Sequence, residues 1–244
     1  MRLFAQYYNT MFTQSLGDDL ILTRLSQTCQ PGDQFLDLCC GSGRVLTFPL
    51  DHGVKAVGVD KDAEMLAEAR HFLPARFDGR YQLLQRDALD LDFEGQFRVV
   101  TCVSHCMSFF RGAETIQRLL ERVYRSMVAG GLFFIESYVP GKPENGYYRK
   151  LTFHVDGGDL TCTLQVSEES DPSDGSVVKV FTYDLEKDDR LEKEVYRVGE
   201  VFLTPIIEMA KQIGFQVEGV YGDSNATVPF DGTSETQSLL LKKM

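Results

Sequence analysis

The chain has 244 residues, 43% of them hydrophobic, and a formal net charge of −11, a balance that excludes a disordered chain and allows a sizeable core. No apolar run approaches the roughly 20 residues that cross a bilayer, and the N-terminus lacks the long apolar region of a signal peptide. With no Lys/Arg cluster to wrap a polyanion, the expectation is a cytoplasmic protein that meets no membrane and no nucleic acid.

Residues 1–30 read as helical, with apolar positions at Leu16, Leu20, Ile21 and Leu25 and a stop at Pro31-Gly32; Met1–Phe12 suits a separate short helix. A first buried strand, Phe35–Leu38, runs into Cys39-Cys40-Gly41-Ser42-Gly43-Arg44, a tight glycine turn before an amphipathic segment. Such a strand-turn-helix junction lets backbone approach a ligand closely and presents unpaired N–H groups. Pro49 makes the helix after it short or kinked. Ala56–Asp60 is a second strand ending in an acid, and a carboxylate there can accept both hydroxyls of a ribose. Asp62–Arg70 follows as a helix with acids in its first turn. Tyr81–Ala88 is a third strand ending in Asp87-Ala88, a further carboxylate at a strand end. Phe97–Val103 is the fourth strand, with Ser104-His105-Cys106-Met107 at its carboxyl end, where open parallel sheets bind ligands. Ala113–Met127 is an amphipathic helix closed by Ala129-Gly130-Gly131, and Leu132–Ser137 supplies strand five.

From about Val139 to Val198 helical periodicity gives way to alternation. Leu151–Val155, Leu160–Val166, Val177–Tyr183 and Glu192–Val198 read as half-buried strands. Gly157-Gly158-Asp159 and Asp171-Pro172-Ser173-Asp174-Gly175 mark turns between them. Thr204 as N-cap with Pro205 at the first helical position starts a last helix that Gly214 ends. Phe215–Tyr221 and Ser238–Lys242 then pair as a terminal hairpin. The predicted fold is α/β, a doubly wound Rossmann-like seven-stranded sheet with an inserted antiparallel β-sheet after strand five. Residues 1–138 and 200–244 form one domain and 139–199 the inserted sheet, whose exposed edges suit a homodimer. The six cysteines lack Cys-x-x-Cys spacing and read as buried, reduced thiols, with no metal site.

The acid and glycines of Asp37-x-x-x-Gly41-x-Gly43 resemble motif I of class I S-adenosylmethionine-dependent methyltransferases, with Cys39 where that family has its first glycine. The dinucleotide pattern Gly-x-Gly-x-x-Gly fails at Leu46, and the acid Asp87 also speaks against a nicotinamide oxidoreductase. The resemblance spans residues 35–137 and, more loosely, Thr204 to the C-terminus. The inserted sheet and terminal hairpin are similar to small-molecule N-methyltransferases of the glycine/sarcosine or amino-sugar type. What this implies is S-adenosyl-L-methionine as cofactor and S-adenosyl-L-homocysteine as product. The cofactor contacts it implies are Tyr8, Asp37, Cys39, Gly41, Gly43, Arg44, Asp60, Lys61, Met65, Asp87, Ala88, Val103 and Ser104, although Arg44 also suits a solvated helix face. It further implies an N-terminal helical lid, an inserted sheet over the acceptor site, and in-line methyl transfer to a small-molecule acceptor, by analogy an amine. His105 is the favoured base because an imidazole titrates near neutrality. Tyr138, Glu136 and His154 are further acceptor-side residues, although Glu136 also suits a satisfied structural acid, and Tyr7 suits either the pocket or ordinary packing. An enzyme using the same cofactor for non-methylating chemistry, or a non-catalytic cofactor-binding partner protein, would share the same cofactor half.

Overall fold

The computed structural model describes residues 1–12, 19–172 and 174–244, so Leu16 and Ser173 lie outside the described residues. In chain order the elements are α1 (Leu3–Phe12), α2 (Asp19–Gln27), β1 (Gln34–Leu38), α3 (Thr47–Asp51), β2 (Lys55–Asp60), α4 (Ala63–Phe72), β3 (Tyr81–Gln85) and β4 (Phe97–Cys102). There follow α5 (Ala113–Ser126), β5 (Met127–Tyr138), β6 (Tyr148–Val155), β7 (Gly158–Ser170), β8 (Val177–Lys187), β9 (Arg190–Gly199), α6 (Leu203–Ile213), β10 (Phe215–Tyr221) and β11 (Thr236–Lys243). No described helix is long and apolar enough to cross a membrane.

The main sheet has the strand order β10-β11-β5-β4-β1-β2-β3. β1 to β5 are mutually parallel, and β11 runs antiparallel to both β5 and β10. Helices on both faces bury these strands, which is why β1, β2 and β4 read as almost unbroken apolar runs. The strand order reverses beside β1 and β4, and the crevice outside their carboxyl ends is where such sheets take ligands.

Three local expectations are revised. The glycine turn does not open a helix: residues 41–46 form overlapping tight turns, with N–H to C=O bonds of Gly43 to Cys40 (2.9 Å), Leu46 to Gly43 (3.2 Å) and Thr47 to Arg44 (3.2 Å). Gly41 and Gly43 have φ of +51° and +80°, which breaks helical continuity, and α3 spans only Thr47–Asp51. β5 begins at Met127, directly after α5, because Gly131 lets the chain close on β4: a Cβ there would lie 3.1 Å from the carbonyl oxygens of Phe97 and Arg98. α6 starts one residue before Thr204, at Leu203, with Phe202 as an N-cap that makes no side-chain bond. Pro205 therefore stands third in the helix, where its missing N–H would have had no helical partner.

The four inserted strands form one antiparallel meander, β6-β7-β8-β9. Alternate residues of β7, including Leu160, Cys162 and Val166, are buried on one face, which covers α1. The Phe4 ring lies 5.2 Å from Tyr183 and 5.4 Å from Tyr196, so α1 is packed on the inner face of this second sheet. The buried Lys179 ties the sheet to the incoming chain through Glu168 Oε1 (2.7 Å) and the Pro143 carbonyl (3.0 Å).

Candidate functional site

A cleft of about 900 Å³ lies between the carboxyl ends of the parallel strands and the inner face of the second sheet. From the main sheet it is lined by Cys39, Gly41, Asp60, Lys61, Asp87, Ala88, Ser104, His105, Glu136 and Tyr138, and from α4 by Met65. Tyr8 of α1 and Leu164, Phe181, Tyr183 and Tyr196 of the second sheet complete the wall.

Asp60 spans the turn after β1 and the start of α4. Its Oδ2 accepts the Gly41 N–H and its Oδ1 the Asp62 N–H, both at 2.8 Å. Burial pushes its carboxyl up, and these two N–H groups pull it back down. Gly41 is required by its left-handed φ, and a Cβ there would also come within 3.2 Å of Met65 Cε. Asp62 caps α4 by accepting from Glu64 N–H (2.9 Å) and Met65 N–H (3.3 Å). Asp87 accepts the Leu89 N–H at 2.9 Å, which fixes its carboxylate at the end of β3.

Beyond β4 the chain holds two consecutive non-glycine residues in left-handed conformation, Ser104 (φ +56°) and His105 (φ +61°). Such conformations persist only where their surroundings over-determine them. Here the buried Glu136, 3% exposed, accepts the His105 backbone N–H with Oε2 at 3.1 Å and places Oε1 3.1 Å from His105 Nδ1. The imidazole is stacked on Tyr138 with ring centroids 3.5 Å apart. Burial, with Glu136, Tyr147 and Glu235 nearby, pushes the Tyr138 phenol up to about 12, so it stays a hydrogen-bond donor at neutral pH. Cys39 is itself left-handed, and its carbonyl accepts the Cys106 thiol at 3.8 Å.

Four of the expected cofactor residues stand behind the cleft wall instead of in it. Asp37 is 2% exposed and accepts the Thr101 hydroxyl at 2.7 Å. Gly43 faces α4, with Ala69 Cβ 3.1 Å from where its own Cβ would be. Arg44 is buried against α2, its Nη1 3.4 Å from Asp19 Oδ1. Val103 is buried in the core. These residues shape the turn that the others line. His154 is exposed on the outer face of the second sheet and pairs with Asp159, because the odd-numbered β6 residues Leu151 and Phe153 are the ones turned inward.

Some contributors had no local signal. Ser224, between β10 and β11, donates to Glu136 Oε1 at 3.3 Å. Arg2 bridges Asp62 and Glu64 on α4 and Glu194 on β9, while Glu192 accepts the N–H groups of Leu3 (2.7 Å) and Phe4 (2.9 Å). Tyr183 and Tyr196 were open to discovery by alternation along β8 and β9, once the inner face was known.

A parallel sheet with this strand order, a glycine turn after β1, acids closing β2 and β3 and a second sheet over their ends make up the fold of class I S-adenosylmethionine-dependent methyltransferases. Residues 35–131 of the chain match the family described as methyltransferase domain. It is 24% identical over 243 residues to the Bacillus subtilis protein YqeM, covering 98% of this chain and 94% of that one. It is also 26% identical to the cypemycin N-terminal methyltransferase of a Streptomyces species, over 94% of this chain and 91% of that one. Among solved structures it shares its fold with the sugar N-methyltransferase KedS8 of Streptoalloteichus, with a TM-score of 0.75, 17% identity and coverage of 97% and 92%.

Proposed function

We propose that the enzyme methylates a small-molecule amine bound between the main sheet and the inserted sheet. The observation that carries this reading is the continuity of one cleft from the Asp60 and Asp87 carboxylates to the His105–Tyr138 stack and the aromatic inner face of β8 and β9. A volume of about 900 Å³ suits a cofactor together with a small acceptor. The names of two similar proteins, an N-terminal methyltransferase and a sugar N-methyltransferase, point to nitrogen as the receiving atom.

The residues present fit the cofactor. Asp60 offers a carboxylate for the ribose hydroxyls, Asp87 an acceptor for the adenine amino group, and Ala88 and Met65 apolar walls for the base. Cys39, Gly41, Lys61, Ser104 and Tyr8 border the remainder of the cofactor. Asp37, Gly43, Arg44 and Val103 serve the same site by supporting the turn from behind. When bound, S-adenosylmethionine supplies an electrophilic methyl group on a sulfonium. The protein then has to hold the acceptor nitrogen in line, exclude water and take one proton. His105 takes that proton, Tyr138 holds its ring in place, and α1 with the 139–199 sheet closes the cleft as lid and roof.

The test is calorimetric titration of S-adenosylhomocysteine into wild type and Asp60→Ala, followed by a methyl-transfer screen over amines, alcohols and phenols. The expected result is micromolar binding lost in the variant, with turnover confined to amines. Turnover on hydroxyl compounds alone would overturn the acceptor class.

A further inference from the structure

Resting on that reading of His105, we propose that Glu136 is a positioning residue that fixes His105 as the Nδ1–H tautomer, so that Nε2 is the nitrogen that takes the proton from the acceptor amine. The argument is geometric. Glu136 sits on β5, and both of its oxygens face His105: Oε2 accepts the backbone N–H and Oε1 makes a charge contact with Nδ1, each at 3.1 Å. A negative oxygen that close to Nδ1 favours the proton on that nitrogen and leaves Nε2, across the ring, to accept. The Ser224 hydroxyl donates to Oε1 at 3.3 Å, which holds that oxygen in place from the β10–β11 side. Tyr138, stacked at 3.5 Å, prevents the ring from turning over. The left-handed backbone at Ser104 and His105 is what brings the imidazole above the carboxylate, and the Glu136 bond to the His105 N–H sustains it.

The function follows from the proton balance. An alkylamine reaches the enzyme mostly as ammonium and has no lone pair to give until a proton leaves. That proton passes to His105 Nε2, the N–C bond forms as the bond from sulfur to methyl breaks, and the resulting imidazolium is stabilised by the Glu136 charge. The same orientation of an imidazole by a buried carboxylate recurs wherever a histidine works from a fixed tautomer. The other ionisable groups facing this corner are Tyr138 and Tyr147, Glu235 at the β11 side, Tyr8 of α1, Cys106, and Tyr196 of β9, which meets Phe109 at 5.8 Å. The tyrosines among them with resolved shifts, Tyr8, Tyr138 and Tyr196, are pushed up by burial and stay neutral, whereas Glu136 brings a charge into direct contact with the ring.

The experiment is nitrogen-15 NMR of histidine-labelled protein saturated with S-adenosylhomocysteine, titrated from pH 5 to 9. The chain has four histidines, and His105→Asn identifies the signal. The expected result in wild type is the Nδ1–H tautomer for His105, whereas a free imidazole in water favours Nε2–H. In Glu136→Gln, which keeps shape but removes charge, the His105 titration midpoint is expected to fall by about one unit or more. The acid limb of kcat/KM would move by the same amount, with S-adenosylhomocysteine affinity unchanged. An Nε2–H tautomer in wild type, or an unmoved midpoint in a folded Glu136→Gln, would overturn the proposal. Should the variant fail to fold, the wild-type tautomer alone decides it. A screen that finds only hydroxyl acceptors would overturn the proposed amine and leave the tautomer result standing.

Discussion

Gly58 lies in the middle of β2, and a methyl group there would come 2.7 Å from Cys40 Sγ and 2.9 Å from Leu46 Cδ1. Neither neighbour can withdraw, since both are buried under the glycine turn. Gly58→Ala is therefore expected to cost about 1–3 kcal/mol, read as a lower Tm, by overpacking the floor on which the turn rests. Asp60 carries the opposite kind of constraint. Burial raises its folded pKa, so its ionised form weakens the fold: its contribution is complete below the unfolded pKa and is lost as pH rises through the folded one. Cofactor hydroxyls need that ionised form as acceptor. S-adenosylhomocysteine affinity is accordingly expected to fall on acidification starting at a higher pH than an ordinary aspartate would give, measured by calorimetry across pH 4–7.

At the scale of elements, α1 is joined to both halves of the cleft by one side chain. Arg2 reaches Asp62 and Glu64 at the start of α4 and Glu194 on β9. Arg2→Ala is expected to loosen α1 and weaken S-adenosylhomocysteine binding about tenfold, with faster dissociation in stopped flow. Burial pushes Asp62 up, but Arg2 and the N–H groups of Met65 and Glu64 outweigh it and hold the carboxyl below its ordinary range. Its stabilisation is thus present above the unfolded pKa and is lost as pH falls through the depressed folded value. None of this was legible in the sequence, because Arg2 and Glu194 are joined only by the tertiary fold. The parallel strands were legible, because strands buried on both faces are continuous apolar runs and the acids Asp60 and Asp87 stand at or just past their ends. The four inserted strands were legible from alternation, but alternation says which residues share a face and not which face is inward. That is why His154 and Phe153 could not be told apart. The start of α6 was misplaced because Leu203, buried in the core, extends the helix past its local cap signal.

On the scale of the whole molecule, three separate chain segments meet around the cleft: the ends of β1–β5, α1, and the inner face of β6–β9. A ligand that touches all three should protect them together. Hydrogen exchange with saturating S-adenosylhomocysteine is expected to slow in α1 and along β8 and β9 as well as in the turn after β1, with Tm rising as the logarithm of ligand concentration. Protection confined to the glycine turn would mean that α1 and the second sheet do not respond to the cofactor. The thiols give this architecture a second use. Cys40, Cys102, Cys106 and Cys162 are buried, Cys29 is half-buried and pushed up to about 11 chiefly by burial, and Cys39 is half-buried in the cleft wall itself. Cys39 therefore places in the cleft a sulfur that a bound ligand would cover. Alkylation of Cys39 by a small reagent is expected to slow as S-adenosylhomocysteine fills the cleft, so mass spectrometry of that one thiol would report occupancy without knowledge of the acceptor.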